Sequence, residues 1–186
     1  RESVTINRGT TRDAGVTPGV LGVYRRLASE ERLPLRVYAM IEGGGTVANV
    51  VAQMARWKAT PEVGRLTVRA VKIYADGALG SRGAALHEDY ADDPGNRGLF
   101  LTTPALLGEK VRAVVQAGFQ PAVHAIGDRG ISETIAAIEG AGDRAAVRAL
   151  RPRIEHLQIL RLSEVPRIAA AGIVALTDHV DRLAED

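Results

Sequence analysis

Short apolar runs alternate with amphipathic stretches along this chain, and three of the runs carry a chemically useful side chain near their end. Val68-Arg69-Ala70-Val71-Lys72-Ile73-Tyr74-Ala75-Asp76-Gly77 carries Lys72. Pro121-Ala122-Val123-His124 reaches His124 and runs on through Ala125-Ile126-Gly127-Asp128, and Arg153-Ile154-Glu155-His156 stops on His156. The stretches between them have helical spacing. Gly19 to Ser29 carries Val20, Val23, Tyr24 and Leu27. Thr46 to Lys58 carries Val47, Val50, Val51, Met54 and Trp57. Pro104 to Gln116 carries Leu107, Val111, Val114 and Val115 and is ended by Gly118. Asp128 can cap a helix from Gly130 to Glu139 with Ile131, Ile135 and Ile138. Ser163 and Pro166 open another helix, to Ala171. Strands are expected at Leu35 to Ile41, Leu66 to Ala75, Phe119 to Ala125, Arg153 to His156 and Gly172 to Leu176. Asp76 to Gly98 has no period and reads as a long loop, a kind that is usually functional.

Repeated βα units imply parallel strands with helices outside. An open doubly wound sheet and a (β/α)8 barrel both satisfy this, and both place function at the C-terminal strand ends. No G-x-G-x-x-G follows a strand and no G-x-x-x-x-G-K-[ST] occurs; Gly43-Gly44-Gly45 lacks the lysine and spacing of a phosphate loop. Spacing favours the barrel. His156 follows His124 by 32 residues (156 − 124), one βα unit. His124 follows Lys72 by 52 residues (124 − 72), one unit plus the long loop. The three then lie on consecutive strands near one mouth. Alternation puts Val68, Ala70, Lys72, Tyr74 and Asp76 on one strand face.

These residue types suit a metal. Neutral imidazole is a good zinc ligand. A lysine ammonium has no lone pair, but burial favours the neutral amine. A neutral amine can add carbon dioxide to give a carbamate that bridges two metals, which together activate water and polarise a carbonyl. Lysine is scarce here: Lys58, Lys72 and Lys110 are the only three. Blander roles stay open at this stage. Either histidine can be a hydrogen-bonded structural residue, Lys72 can snorkel to solvent, Asp128 can be a cap only, and Glu155 can face the helices and pair with an arginine. His87, in the long loop, reads as solvated. Asp178 and His179 follow the last strand in a weaker context.

Composition narrows the field. At 186 residues, 46% hydrophobic and 25% charged, the chain can bury a core. A net charge of +2 with scattered basic residues gives no patch for nucleic acid or a membrane surface. The absence of cysteine excludes disulfides, thiolate metal sites and a thiol nucleophile. No apolar stretch approaches about 20 residues, and Arg1 to Ile6 lacks the form of a signal peptide, so a cytoplasmic location is expected. Arginine over lysine with abundant alanine and glycine resembles GC-rich bacterial coding.

The run from Val71 through Lys72, Asp76 and Gly77 to Gly80-Ser81-Arg82, with His124-Ala125-Ile126-Gly127-Asp128 and Arg153-Ile154-Glu155-His156, resembles the amidohydrolase superfamily. The branch it looks like is that of N-substituted formamide deformylase, which shows the same motifs in this order. The resemblance covers about Thr11 to Leu176, and Gly9 to Val16 is similar to a shortened second barrel strand. It implies a (β/α)8 barrel that hydrolyses a non-peptide amide-type C–N bond of a small molecule by attack of a metal-activated hydroxide on the carbonyl. It implies Lys72 as a carboxylated bridging ligand, His124 and His156 as ligands of one or two divalent ions, zinc foremost, and Asp76, Arg82 and Asp128 near the substrate or behind the ligands.

Parts of the family pattern are absent from this sequence. No His-x-His occurs, no strand-eight aspartate follows, and nothing corresponds to the family's small β-sandwich. Asp178 would follow the seventh strand, not the eighth. The expectation is therefore α/β, an incomplete (β/α)8 barrel holding about strands two to seven, with 1–186 as one partial domain. Such a chain is expected to bind metal weakly, turn over little, and associate through unpaired edges. The rivals are a non-catalytic binding protein on a degenerate barrel, and a superfamily member acting on a cyclic amide, lactone or amino-ring substrate.

Overall fold

A computed structural model describes residues 9–177 and the backbone of 183–184. Six parallel strands, β1 (Thr10–Val16), β2 (Arg36–Glu42), β4 (Leu66–Tyr74), β5 (Gln120–Ala125), β6 (Arg153–His156) and β8 (Val174–Thr177), lie side by side in chain order. The two-residue β3 (Glu62–Val63) forms a small antiparallel hairpin with β4. The helices are α1 (Pro18–Ser29), α2 (Val47–Lys58), α3 (Pro104–Gln116), α4 (Asp128–Glu139), α5 (Arg144–Leu150) and α6 (Val165–Ala171). A short parallel pair, β7 (Leu160–Arg161) with β9 (Leu183–Ala184), stands apart from the main sheet.

Strand order separates the two arrangements that alternation leaves open. A doubly wound sheet reverses its order at a switch point. Here every crossover moves one strand in the same direction, so the helices collect on one face and the sheet curls into a half-barrel. Among the described residues no helix is long and apolar enough to cross a membrane.

Two layers of packing follow. The outer face of the sheet meets the helices in one large core, with Ile41, Val71, Ile73, Val123 and Ile154 against Leu107, Val111, Ile131, Ile135 and Ile138. Each fully buried isoleucine of α4 contributes about 1.5–3 kcal/mol. The inner face carries a separate small cluster of Met40, Ala70 and Ala122 with Tyr38. Beside it, Arg153 and Glu155 form a buried ion pair with Nε donating to Oε1 at 2.7 Å. Tyr38 donates to Gln120 Oε1 (2.9 Å), whose amide nitrogen donates to the Arg151 carbonyl (2.6 Å).

The helical and strand segments fall close to their expected bounds, with five differences. On α1 the buried positions are Leu21 and Ala28, while Val20 and Val23 are exposed; the inward face follows the Leu21, Tyr24, Ala28 spacing instead. Val68 packs in the outer core rather than with Ala70. A register shift opposes Ala39 to Val68 and Met40 to Ala70, so Arg69 is the extra residue of a bulge and the faces exchange there. α4 starts at Asp128 itself, with Gly127 at its cap. Ser163 lies in a 3-10 turn, and Glu164 rather than Ser163 precedes α6. α5 has no counterpart among the expected elements, since its stretch shows no clear apolar stripe; Asp143 caps it, accepting from the Ala146 amide at 3.0 Å.

The Arg153–Glu155 pair generates a stability prediction. Arg153→Met leaves the Glu155 carboxylate buried without its partner, and the loss is expected to be about 3–5 kcal/mol. The double change Arg153→Met with Glu155→Leu is expected to recover most of it. Urea denaturation of the three chains measures both.

Candidate functional site

The C-terminal ends of β4, β5 and β6 converge on one cluster. Alternation sends Val71 and Ile73 to the helices, and so turns Lys72 and Tyr74 inward. Lys72 is 3% exposed, and its Nζ lies 5.1 Å from the Tyr74 ring centroid. On β5, Val123 and Ala125 face outward and His124 faces the mouth. The Tyr74 and His124 ring centroids are 5.5 Å apart. His156 needs a further device. Ile154 points to the helices, so plain alternation would send His156 there too. Its backbone is left-handed (φ 80°), as is that of Leu157 (φ 45°), and the chain turns there. The result is an edge-on contact of the His124 and His156 rings, with centroids 4.7 Å apart.

Space for the cluster comes partly from β1. Gly15 has φ 81° and forms a bulge opposite β2. A Cβ at Gly15 would lie 3.1 Å from the Tyr74 hydroxyl. A larger residue would therefore meet both backbone strain and the tyrosine.

Asp76 is wholly buried two residues beyond Tyr74, where the strand ends. Its Oδ2 accepts from the Ala85 and Gly127 amides (2.9 and 2.8 Å), and its Oδ1 from the Ile126 amide (3.0 Å). Oδ1 also faces His124 Nε2 at 3.7 Å. Burial pushes the Asp76 carboxyl above its ordinary pKa, and the amide bonds oppose that. The Ala85 carbonyl then accepts from Arg129 and Gly130 (3.1 Å each). Asp76 and Ala85 together engage four amides at the start of α4, a helix end that favours negative charge.

Burial lowers the His124 pKa to about 4, helped by the nearby His156 and Lys72 and opposed by a hydrogen bond with the Gly77 backbone. Its imidazole is therefore neutral near pH 7 and has a lone pair to offer, as a metal ligand must. Among the described residues no group of three His, Cys, Asp or Glu side chains forms a ready cage. The donors brought together are two imidazoles and one buried lysine, a set that fits a divalent ion once the lysine carries a carboxyl oxygen.

The other expected residues sit further out. Asp128 Oδ1 accepts from the His87 and Arg129 amides (3.0 and 2.8 Å), and its Oδ2 from Arg161 Nε (2.8 Å). It knits the loop after β4 to the segment after β6. Arg82 is exposed and donates to Asp92 at 2.9 Å. His87 is exposed, as expected, while Glu155 faces the barrel interior rather than the helices because it pairs with Arg153. Asp178 and His179 lie outside the described residues. Two further side chains stand at the mouth. Alternation puts Tyr74 on the inner face but gives it no role. Glu42 ends β2 in register with Lys72, and the period-two pattern of Tyr38, Met40 and Glu42 was its signal. A groove of about 430 Å³ between α4, α5 and α6 lies on the outer layer instead. Its arginines are engaged with α6 carbonyls and Glu139, and it holds none of these donors.

Residues 14–182 match the amidohydrolase family, and the chain belongs to it. The putative amidohydrolase YtcJ of Bacillus subtilis (strain 168) is 30% identical over 175 residues, covering 88% of this chain and 31% of that protein. Protein LONG AFTER FAR-RED 3 of Arabidopsis thaliana is 37% identical over 127 residues, covering 62% of this chain and 21% of that protein. The crystal structure of an uncharacterized metal-dependent hydrolase from Pyrococcus furiosus superposes with a TM-score of 0.76 at 27% identity, covering 88% of this chain and 33% of that one. The chain thus spans about a third or less of each of these proteins.

The seating of Asp76 can be probed at Gly130, where a Cβ would lie 2.5 Å from Asp76 Oδ2. Gly130→Ala is expected to push the carboxylate off its amides at a cost of about 1–3 kcal/mol. Hydrogen exchange should quicken at the Ala85 and Gly127 amides while the α2 amides stay unchanged.

Proposed function

We propose that this chain is the central part of the barrel of a divalent-metal-dependent amidohydrolase, with residues 1–186 belonging to that one domain. The whole enzyme cleaves a non-peptide amide-type C–N bond in a small molecule, as N-substituted formamide deformylase does. The observation that carries this reading is the convergence of Lys72, His124 and His156 from three consecutive strands, with the two imidazole centroids 4.7 Å apart. Family membership and the metal-dependent hydrolase neighbour support it.

In this reading His124 and His156 each offer a ring nitrogen, and Lys72, carboxylated, offers an oxygen. Zinc fits nitrogen and oxygen donors of this kind. A bound ion supplies Lewis acidity, polarising the amide carbonyl and making water a stronger nucleophile. The chain's own residues shape the rest. Burial of Lys72 favours the neutral amine that carboxylation needs. Neutral His124 competes little with protons for its ligand role. Tyr74, half exposed beside both, forms a wall of the mouth that a substrate meets first.

Zinc content after equilibration with zinc chloride and bicarbonate tests the reading. The 186-residue chain is expected to bind zinc weakly and to hydrolyse formamides slowly, since the described donors number three. His124→Ala and His156→Ala are each expected to weaken zinc binding by more than the roughly 10–100-fold typical of a lost outer partner. Gentle mass spectrometry should show about 44 Da added to the parent and not to Lys72→Ala, as expected for carbon dioxide on a neutral amine. Zinc bound equally by all these chains would sink the assignment.

A further inference from the structure

We propose that Lys110 is a positioning residue, which holds the turn after β2 from the helix layer and so fixes the floor on which the Lys72 side chain lies. The inference rests on the reading of Lys72 as part of the reaction site, and adds what seats it.

Lys110 occupies a costly place. It shares the buried face of α3 with Leu107, Val111 and Val114, and is itself 3% exposed. Helical spacing there calls for an apolar side chain. Burial lowers the Lys110 pKa, with no acid among the described residues to oppose it. A buried amine without a carboxylate needs another acceptor. Lys110 finds one in the turn before α2: its Nζ donates to the Gly43 carbonyl at 2.8 Å.

Gly43 opens the Gly43-Gly44-Gly45 run, to which the sequence gives no role. Its amide donates to the Lys72 carbonyl at 2.8 Å, one residue past the end of β2. A Cβ on Gly43 would lie 2.5 Å from that carbonyl oxygen and 2.9 Å from the Val71 and Ile73 side chains. Gly43 is therefore gripped twice, at its N–H by the Lys72 backbone and at its carbonyl by Lys110. It is buried, so without Lys110 its carbonyl lacks this donor. The turn can relieve that only by moving out to water, away from Lys72.

The grip matters because of where the Lys72 side chain goes. β2 lies between β1 and β4, and Glu42 at its end is the register partner of Lys72. A Cβ at Gly15 on β1 would lie 3.9 Å from Lys72 Cγ. The lysine stem thus leans from β4 across the end of β2 toward β1. Lys72 stays covered only while that end is held against β4.

Hydrogen exchange and amine labelling of the full chain, free of metal, test this with two variants. Lys110→Met keeps an apolar stem and removes the donor. Exchange at the Gly43 amide is expected to quicken about tenfold or more, the factor carried by a hydrogen bond to a charged group. Acylation of Lys72 by a small amine reagent, read by peptide mass spectrometry against the exposed Lys58, should rise several-fold. Val114→Ala loosens the same face of α3 one turn further from Gly43, and should leave both readings as in the parent. An unchanged Gly43 amide or an unchanged Lys72 in Lys110→Met overturns the proposal. So does an equal change in Val114→Ala, which would make the effect one of helix packing. In the parent, NMR in cold, mildly acidic buffer should show a coupling from the Lys110 amine nitrogen through the hydrogen bond to the Gly43 carbonyl carbon. Its absence overturns the proposal even where Lys110→Met does not fold. A zinc titration of the same chains separates this from the function itself. No zinc bound by the parent, with both Lys110→Met changes present, removes the metal reading and leaves the positioning role standing. Zinc bound by the parent, with Gly43 and Lys72 unchanged in Lys110→Met, does the reverse.

Discussion

A carboxylate with no exposed surface must be met by donors, and at Asp76 those donors are the amides of the turn that begins α4. That single requirement organises the mouth of the half-barrel. Asp76 belongs to the exit of β4, Ile126 and Gly127 to the exit of β5, and Ala85 to the long loop between them. One buried acid therefore fixes three segments relative to each other. Asp128 does the same one step further out, joining the loop at His87 to Arg161. Both acids act through helix N-terminal donors, where negative charge is favoured. The loop that sequence showed only as a long aperiodic stretch is thus held by backbone bonds to acids, with Ala84 and Ala85 buried and Tyr90 donating to the Ala84 carbonyl at 3.0 Å.

Much of the fold was legible because apolar periodicity is a direct imprint of burial. The isoleucines of α4 and the run around Lys72 announced their elements without reference to the rest. What stayed hidden was set by the curl of the sheet. The bulges at Gly15 and Arg69 insert one residue each, and no local pattern marks where a curling sheet will need one. The Arg69 bulge moved Val68 to the helix side while leaving Lys72 on the inner face. An alternation argument counted backwards from Lys72 therefore fails within four residues, though it holds at Lys72 itself. The inward face of α1 is hidden in its sequence for a related reason. Its apolar residues surround much of the helix, and only contact with the sheet selects Leu21 and Ala28 over Val20 and Val23.

The candidate site shows the same division. Lys72 and His124 follow from plain alternation and are where the sequence puts them. His156 is at the cluster for a reason its sequence does not display: the strand parity points it the wrong way, and a left-handed backbone corrects it. Arg82 and Asp128 belong to motifs near the site but have other partners in the structure. Arg82 pairs with an acid of its own loop, and Asp128 is taken up by amides and Arg161. Motif membership marked the right neighbourhood for them, not the direction of their side chains.

Adjacent parallel strands lie about 4.8 Å apart, so donors at the ends of consecutive strands start within reach of a common ion. Reach alone is not enough; the floor beneath them must be dry, or water competes for the same lone pairs. Two residues below Lys72 and His124 on their strands are Ala70 and Ala122, both fully buried. Their small size lets the sheet close on Met40 and Tyr38 from β2. On β6 the place below the mouth is filled by Glu155, whose charge would draw water if it were alone, and Arg153 neutralises it within the same strand. Beneath Lys72 and His124 the inner face of the half-barrel is thus packed with small apolar side chains. Burial of the ring there is the main cause of the low pKa of His124, with His156 and Lys72 adding to it, and the ring keeps its lone pair.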